Sequence, residues 1–520
     1  MKNQEIEAAW NYHSGTKHSY ESIRANRHYL DWENQPIPFR IYTQLEALPL
    51  PQHLSSSGMP ALQAISAVGA PPDGDQGALD SQTLAEILLL SAGITRRRSY
   101  TGGEILFRAA ACTGALYHID LYLVCGDIEG LDAGVYQFSP QDFSLRRLRA
   151  GDYRPVLAEA AGGEPSIVNA RCVIVSGSTF WRNAWKYQAR AYRHCYWDNG
   201  TILANLLAAT AARRIPTKLV LGFVDRVVNE LLGLDDNREA PLSLMALGGL
   251  SDRRIVPAPP LASLNLETKP LSKKEVEYPA MRAMHEASSL ENTEEVTAWR
   301  EGVGKKDKDG RIKDEAGTEN QRFALQPFSD EDMPKDTIEE VIMRRGSTRE
   351  FAREPITFAQ LSTMLDRATR GIDADFLNSL QASLNEVYLI VHAVEGLPAG
   401  AYVYRRDEQA LELLKPGDFR RDAGYLGLGQ EIPADCSVNI YFLADLNCAL
   451  ERFGNRGYRA AQLEAAIMGG KVYLAAYAQR LGASGLTFFD DDVTEFFSPD
   501  AAGKSVMFLI AVGKSAKRKF

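Results

Sequence analysis

The feature that most constrains this chain is a set of short motifs that occurs twice at one constant separation. Gly134-Val135-Tyr136 is followed 266 residues later by Gly400-Ala401-Tyr402, and Arg190-x-Tyr192-Arg193 is followed at the same interval by Arg456-x-Tyr458-Arg459. The other matched pairs are Tyr122 with Tyr388, Asp198 with Glu464, and Phe223-x-Asp225-x-Val227 with Phe489-x-Asp491-x-Val493. One separation that persists over about a hundred residues indicates an internal duplication. The chain is therefore predicted to contain two copies of one folding unit.

Length and composition agree with a large globular protein and exclude several other classes. At 520 residues the chain exceeds one hydrophobic core, and 45% hydrophobic with 24% charged residues is ordinary for a globular fold. The net charge of −9 argues against nucleic acid or an anionic membrane as the main partner. No apolar run approaches the ~18 residues of a membrane span, and the N-terminus lacks a signal core, so a cytoplasmic location is expected. The six cysteines and eight histidines follow no C-x-x-C or H-E-x-x-H pattern, so free thiols and no metal site are predicted.

The sequence divides into four predicted regions. Residues 1–80 are an N-terminal wrapping region, 81–251 the first repeat, 252–330 a charged linker and 331–520 the second repeat. Each repeat combines apolar strand patterns with a long helix, which begins near Gln188 in the first, and so predicts an α+β fold. The linker is expected to be partly disordered, with one helix near residues 281–288. Two such copies in one chain can form an intramolecular pseudo-dimer, and further association of whole chains stays open.

The second repeat opens with a basic segment that the first repeat lacks. Arg345, Ser347 and Arg349 lie within six residues, whereas the aligned residues 67–72 of the first repeat carry no charge. Guanidinium groups match phosphate oxygens bidentately, so this segment indicates a phosphate site. The alternative is a solvated basic turn.

The two repeats carry their clusters of small residues at different positions. The first repeat has Cys112, Thr113 and Gly114 before a strand, where a flat ligand could approach the backbone closely. Close helix packing is the alternative interpretation of that turn. The second repeat has Ser484 and Gly485 in a glycine-rich loop that offers free amides. Each copy thus keeps different parts of what looks like one composite site.

The dipeptide Lys186-Tyr187 is the candidate catalytic element. The second repeat has Arg452-Phe453 at the matching position. At the start of the helix near Gln188, the positive end of the helix dipole would disfavour an ammonium and favour a phenolate, and Arg190 would act the same way. Either a neutral lysine or a phenolate can act as a general base. The alternative is a lysine stem packed beside a core tyrosine.

Taken together, these motifs resemble the nitroreductase superfamily, and specifically the SagB/ThcOx-type flavin dehydrogenases of azoline-containing peptide pathways. The early stretch Tyr12-His13-Ser14-Gly15-Thr16 also looks like the N-terminal signature of that family. The resemblance implies two tandem nitroreductase-like domains that bind FMN between them, with one composite site and one FMN per chain. One departure is that Ala111-Cys112 stands where the family usually has Pro-Ser, which removes a hydroxyl contact.

The resemblance also implies a role for each site residue. The phosphate and ribityl chain would be held by Arg345, Ser347 and Arg349. The isoalloxazine ring would receive amides from Ser484 and Gly485, and would be covered by Cys112, Thr113 and Gly114. Lys186 and Tyr187 would form the catalytic base.

The activity implied is dehydrogenation of an azoline or a related C–N or C–C unit in a peptide or small peptide-derived substrate, with partner enzymes supplying the other biosynthetic steps. One alternative is an NAD(P)H-dependent nitro- or quinone reductase, which would not need the Lys-Tyr pair. The other is a non-catalytic scaffold that binds a flavin or a peptide.

Overall fold

The computed structural model describes residues 1–69, 76–100, 103–249, 257, 259–302 and 320–516. The α-helices of these residues are α1 (Glu7–Gly15), α2 (Tyr20–Ala25), α3 (Ala61–Ser66), α4 (Ser81–Ala92), α5 (Arg154–Ala160), α6 (Pro165–Asn169), α7 (Phe180–Tyr187), α8 (Ala191–Ala212), α9 (Asp225–Leu232), α10 (Pro279–Ala287), α11 (Thr293–Glu301), α12 (Ile338–Arg344), α13 (Phe358–Ala368), α14 (Arg420–Leu426), α15 (Glu431–Asp435), α16 (Leu446–Phe453), α17 (Arg456–Ala478) and α18 (Asp490–Phe497).

The strands are β1 (Leu48–Pro49), β2 (Ile94–Tyr100), β3 (Gly103–Arg108), β4 (Ile119–Cys125), β5 (Gly134–Ser139), β6 (Ser144–Ala150), β7 (Cys172–Thr179), β8 (Thr217–Val220), β9 (Glu239–Leu247), β10 (Arg322–Ala324), β11 (Ile356–Thr357), β12 (Asn385–Val391), β13 (Val394–Glu395), β14 (Gly400–Arg405), β15 (Ala410–Pro416), β16 (Val438–Ala444), β17 (Gly482–Leu486) and β18 (Ser505–Gly513).

Two seven-stranded sheets repeat one topology. The first has the order β1-β6-β5-β4-β7-β9-β8 and the second the order β10-β15-β14-β12-β16-β18-β17, so each strand has a counterpart at the same place. The ladders of both sheets are antiparallel. The central strands β4, β7 and β16 are buried along their whole length, as expected for near-continuous apolar runs that helices cover. The predicted α+β fold is confirmed.

The two repeats meet along their longest helices, α8 and α17. A methyl group added to Gly200 would lie 2.5 Å from Cβ of Ala466, and one added to Gly470 would lie 2.6 Å from Cβ of Ala204. The two residues of each contact are 266 residues apart, so they occupy equivalent positions of the two repeats. Self-contact of equivalent positions is the signature of a twofold interface, so the predicted pseudo-dimer is confirmed. Among the described residues, no helix combines the length and apolar character needed to cross a bilayer.

A buried ion cluster crosses this interface beside α1. Arg190 and Arg193 of the first repeat bind the carboxylate of Asp490 in the second, at 2.9 and 2.5 Å. The same two guanidiniums donate to the carbonyls of Thr16 and His13 at the end of α1. Burial opposes ionisation of Asp490, but Arg190 and Arg193 outweigh it and hold the pKa of this carboxyl well below its usual value. The shared Arg-x-x-Arg motif therefore joins the repeats to each other.

A second cluster repeats this arrangement beside α10. Arg456 and Arg459 of the second repeat bind Asp225 of the first at 2.7 and 2.6 Å. Arg459 also donates to the carbonyl of His285 and the hydroxyl of Ser288. Burial raises the pKa of Asp225, but the two arginines outweigh it and lower that pKa to about 2.

The two clusters assign α10 the role that α1 has. The amide of His18 donates to Asp490, and the amide of Leu290 donates to Asp225. Residues 279–290 are thus the counterpart of residues 7–18, although they lie in the predicted linker. The helix expected near 281–288 is α10, while α11 was not expected, and residues 303–319 of the linker lie outside the described residues. We propose that the second domain begins before residue 279 instead of at 331.

Candidate functional site

The basic segment 344–349 follows α12 and lies against the first repeat. The Arg345 guanidinium is buried and donates to the carbonyls of Ala109 and Arg108, at 2.7 and 3.1 Å. Arg345 therefore holds the loop of the first repeat instead of facing solvent. Ser347 and Arg349 are exposed, and Arg349 makes no hydrogen bond or ion pair with the described part of the chain. Of the three predicted phosphate-binding residues, Ser347 and Arg349 are the two that are exposed to an anion from solvent.

The charge of Arg349 acts on Lys186, so the candidate base and the basic segment are near enough to interact although they belong to different repeats. Burial lowers the pKa of Lys186 from its usual 10.5, and the positive charge of Arg349 lowers it further. Within the described residues neither cation has a carboxylate partner. Two uncompensated cations that act on each other favour the binding of an anion such as a phosphate.

Tyr187 packs against the small-residue turn of its own repeat. A methyl group at Gly114, whose φ is +64°, would lie 2.8 Å from the Tyr187 hydroxyl oxygen. The Tyr187 ring lies 4.5 Å from the ring of His194, a buried residue that the sequence analysis did not single out. Burial, followed by the nearby charge of Asp198, raises the pKa of Tyr187. The phenol therefore keeps its proton at neutral pH.

The expected electrostatic effect of a helix start on Lys186 and Tyr187 was wrong. These two residues are the last of α7. Gln188, with a φ of 50°, then interrupts the helical backbone before α8 begins at Ala191. A helix C-terminus favours an ammonium and disfavours a phenolate, the reverse of the expectation. Arg190 is turned towards Asp490. What lowers the Lys186 pKa is burial and Arg349.

Asp198 fixes the turn that precedes β4. Its carboxylate accepts from the Cys112 thiol at 3.0 Å, from the Thr113 amide at 2.9 Å and from the Thr113 hydroxyl at 2.7 Å. Burial and then Asp198 raise the pKa of Cys112 well above its usual value, so the thiol stays protonated. Cys112 and Thr113 are therefore engaged internally. The Gly114 amide has no partner among the described residues and remains available to a ligand.

Asp198 also binds Nε2 of His118 at 2.9 Å, which places three side chains of metal-ligand type together. The candidate ligand atoms of Cys112, His118 and Asp198 all lie within 4.8 Å of one another. No metal site was predicted from the sequence. Nδ1 of His118 is held by the Ser178 hydroxyl at 2.9 Å, so hydrogen bonds account for this grouping.

Tyr473 on α17 connects the basic segment to the glycine-rich edge strand β17. Its hydroxyl accepts from the Gly485 amide at 2.5 Å and lies 3.3 Å from the Ser347 hydroxyl. Ser484, the neighbour of Gly485 on β17, is buried. Tyr473 was not predicted as a site residue, although the constant separation places Leu207 at the equivalent position. A tyrosine in one copy where the other copy has a leucine was the available signal.

The N-terminal region forms the side of the site next to Lys186. Asn26 donates to the Gln188 side chain at 2.7 Å, and the ring of His28 lies 2.9 Å from the Trp185 carbonyl. The Trp185 indole donates to the carbonyl of Asp31 at 3.0 Å. These contacts hold the residues on both sides of the Lys-Tyr pair, Trp185 and Gln188.

Comparison with known proteins shows which family part of the chain resembles. The profile of the Nitroreductase family matches residues 342–514. A Methanocaldococcus jannaschii protein named as a nitroreductase is 26% identical over 170 residues, which are 33% of this chain and 81% of that protein. The crystal structure of an Anabaena variabilis protein described as a nitroreductase has a TM-score of 0.76 at 26% identity, and the match covers 98% of this chain and 99% of that one.

A Ralstonia eutropha structure, also described as a nitroreductase, matches 42% of this chain and 100% of its own at 21% identity, with a TM-score of 0.32. The family profile covers the second repeat, and the Anabaena structure extends the same fold over both repeats. Residues 342–514 therefore match the nitroreductase family, and the chain as a whole has the fold of two tandem nitroreductase-like domains.

Proposed function

We propose that this protein is an FMN-dependent oxidoreductase that dehydrogenates an azoline or a related C–N or C–C unit in a peptide or peptide-derived substrate. The observation that carries this proposal is that the charge of Arg349, in the second repeat, acts on both Lys186 and Tyr187 of the first repeat. Residues of both repeats would therefore contribute to one composite site.

The residues at this site fit FMN. Arg349 offers positive charge and Ser347 a hydroxyl to the phosphate. A methyl group at Gly485 would meet only ordinary contacts, with Phe508 at 3.5 Å and Tyr473 at 3.6 Å, so the backbone of β17 is not crowded at this position. The Gly114 amide lies on the opposite repeat, where it could donate to the same ring. Bound FMN would supply the chemistry of accepting a hydride.

Lys186 is the residue suited to remove the substrate proton. Its lowered pKa increases the neutral fraction that can accept a proton, and the protonated product would lie beside Tyr187, whose ring centroid is 5.2 Å from Nζ. Tyr187 keeps its proton, so we assign it to orienting the substrate by donating a hydrogen bond. The pair therefore divides into a base and a donor, and the phenolate is not needed.

The pseudo-equivalent position supports one site per chain. Leu219 occupies on β8 the register position that Gly485 occupies on β17. Its amide donates to the Asp373 carbonyl at 2.9 Å, and its carbonyl accepts from the Asp375 amide at 3.0 Å. The Asp375 carboxylate accepts from the amides of Leu221 and Gly222, at 2.7 and 2.9 Å. The chain itself thus fills the edge that a second ring would need.

A second candidate function is an NAD(P)H-dependent nitro- or quinone reductase. The names of the similar proteins from Methanocaldococcus jannaschii and Anabaena variabilis favour it. Such an enzyme would use the same FMN site and would not need a base at Lys186.

The deciding experiment measures the two half-reactions separately under anaerobic conditions. The flavin-loaded protein is mixed either with an azoline-containing peptide or with NAD(P)H, and loss of visible flavin absorbance is followed. The dehydrogenase proposal expects bleaching by the peptide, and its loss in both Lys186→Ala and Lys186→Arg. Rapid bleaching by NAD(P)H that both variants retain would instead establish the reductase.

The two Lys186 variants also separate binding from catalysis. Lys186→Arg keeps the cation but no longer provides a neutral base, so it should retain FMN and lose turnover. If Lys186→Ala loses FMN while Lys186→Arg keeps both FMN and turnover, Lys186 is a phosphate ligand only. A colourless protein that cannot be reconstituted with FMN would contradict both enzymatic functions. The non-catalytic scaffold would then be the remaining interpretation.

A further inference from the structure

A basic hairpin stands beside the candidate site. β2 and β3 form a two-stranded antiparallel sheet of their own, separate from the seven-stranded sheets. The base of the hairpin is held by the bond from Arg345 to the Arg108 carbonyl. One step further out, Arg96 donates to the Arg344 carbonyl at 3.4 Å. The hairpin is thus attached directly to the segment that carries Ser347 and Arg349.

One face of this hairpin combines guanidinium groups with apolar side chains. Directly opposed residues share a face, and the opposed pairs are Arg96 with Phe107, Arg98 with Ile105, and Tyr100 with Gly103. Successive residues alternate between faces, so these pairs lie on the same side. We call this side the basic face, defined by Arg96, Arg98, Tyr100, Ile105 and Phe107.

The charges of the two faces are compensated differently. Arg97 lies on the opposite face, where Glu104 approaches it to 3.6 Å. Arg98 is exposed and makes no hydrogen bond or ion pair with any described residue. The charge of Arg98 is therefore available to a partner.

Apolar groups surround the unpaired guanidinium. Tyr100 is 56% exposed and Ile105 is 42% exposed. A methyl group at Gly103 would lie 2.8 Å from the Tyr100 hydroxyl, so the absence of a side chain at Gly103 lets the tyrosine lie across the hairpin. Exposed apolar groups next to unpaired charge are typical of a surface that binds a partner.

We propose that the basic face docks an extended acidic segment of the peptide substrate, a proposal that rests on the function proposed above. Arg96 and Arg98 are two residues apart on one strand, which corresponds to ~7 Å. Alternate side chains of an extended peptide have the same spacing, so carboxylates at positions i and i+2 match the two guanidiniums. Tyr100 and Ile105 would cover the apolar stems between them. The substrate would therefore carry its acidic segment a few residues from the unit that reacts beside Lys186.

The test measures binding of a rhodamine-labelled peptide in which Glu alternates with Ser, by fluorescence anisotropy on the full chain. Arg98→Gln should weaken binding about fivefold, which is the effect of losing one charge-assisted contact near the surface. Arg97→Gln is the matched control, because it removes the same charge from the same strand on the opposite face. It should change affinity by less than about twofold.

The outcomes separate this proposal from its foundation. Equal losses in Arg97→Gln and Arg98→Gln would overturn it, since only the net charge would then matter. Displacement of the peptide by NADPH, with a raised KM for NADPH in Arg98→Gln, would also overturn it and assign the face to a phosphate-bearing donor. Peptide binding that depends on Arg98 in a protein unable to hold FMN would support the docking face while the dehydrogenase function fails.

Discussion

At the scale of single residues, Gly114 and Tyr187 share one small space. The left-handed conformation of Gly114 and the 2.8 Å approach of the Tyr187 hydroxyl both require the absence of a side chain there. The position of the candidate donor therefore depends on a residue about seventy positions earlier in the sequence. The sequence analysis placed the two in one site but did not place them in contact.

Gly114→Ala should weaken FMN binding about tenfold, because the new methyl group strains the turn and displaces Tyr187. The measurement is the dissociation constant for FMN, determined from quenching of flavin fluorescence. Gly163→Ala is the control, since Gly163 also has a positive φ but has nothing within 4 Å of the added methyl group. An equal effect in the two variants would show that the loss comes from backbone strain alone.

The proximity of Arg349 to Lys186 predicts a specific pH dependence. A base must be deprotonated, so kcat/KM should rise with pH through the lowered pKa of Lys186, with a midpoint below 10.5. Arg349→Gln removes a positive charge and so raises the pKa of Lys186. The rise of kcat/KM should then occur at higher pH. Arg349→Lys keeps the charge and should leave it in place.

This prediction is checked with flavin-saturated protein, since Arg349 is also assigned to the phosphate. A limb that stays at the same pH in Arg349→Gln would show that Lys186 does not set it.

At the scale of elements, α1 and α10 each close a buried cluster between the repeats. In both clusters one carboxylate faces two guanidiniums, and the end of the helix supplies carbonyl and hydroxyl acceptors. Removing one charge from such a group leaves the others buried without compensation, which is costly. These short helices therefore contribute to joining the domains.

Asp490→Asn should lower the free energy of unfolding by about 3–5 kcal/mol, because two buried arginines lose their counter-charge. Asp491→Asn is the matched control: Asp491 is exposed and pairs with Lys17, so its loss should cost less than about 1 kcal/mol. Urea unfolding followed by circular dichroism measures both. Similar effects in the two variants would contradict the assignment of the cluster.

The clusters also predict acid sensitivity. The pKa of Asp225 is lowered to about 2, and that of Asp490 is lowered as well, so both contribute stability that is fully present above the usual carboxyl value of 3.8. That contribution is lost as pH falls from 3.8 through the lowered values. Asp225→Asn should therefore flatten the decline of the melting temperature in this acid range. If the melting temperature of Asp225→Asn declines as steeply as that of the unmodified protein, the acid sensitivity comes from other carboxyl groups.

The element scale shows where the sequence was sufficient and where it was not. The buried strands and the long helices α8 and α17 follow from apolar runs and helical spacing, which are local signals. The pairing of α10 with α1 was not predictable, because the two segments share little beyond His13 and His285 and their separation is 272 instead of 266. The motif comparison paired Asp225 with Asp491, which is wrong by one residue. In the structure Asp490 binds the arginines of the other repeat, as Asp225 does. Only long-range ion pairs reveal this shift.

At the scale of the whole molecule, the candidate site draws on both repeats. Its residues were predicted from the sequence by asking which copy had lost each motif, and the charge of Arg349 does act on Lys186. It could not show that Arg345, Cys112 and Thr113 are engaged in internal hydrogen bonds. Such engagement depends on groups distant in the chain, among them Asp198 and the carbonyl of Ala109.

The closed counterpart at Leu219 predicts about one FMN per chain. The FMN-to-chain ratio is measured by absorbance after denaturation and by native mass spectrometry. A hollow of about 270 Å³ remains beside residues 376–384, the counterpart of the first repeat's small-residue turn, and it is the place where a second flavin would be sought. Two equivalent flavins would contradict the single composite site.

The self-contact of equivalent positions on α8 and α17 has a consequence for how this protein can change. In a homodimer, each substitution appears twice, so an alteration that improves one site alters the other as well. Here the two repeats are separate segments of one chain, so a substitution can alter one repeat and leave the other unchanged. The hairpin of β2 and β3 beside Arg345 is such a one-sided feature, since among the described residues the second repeat has no matching ribbon. Fusion thus allows one half of the molecule to carry this hairpin while the other half does without it.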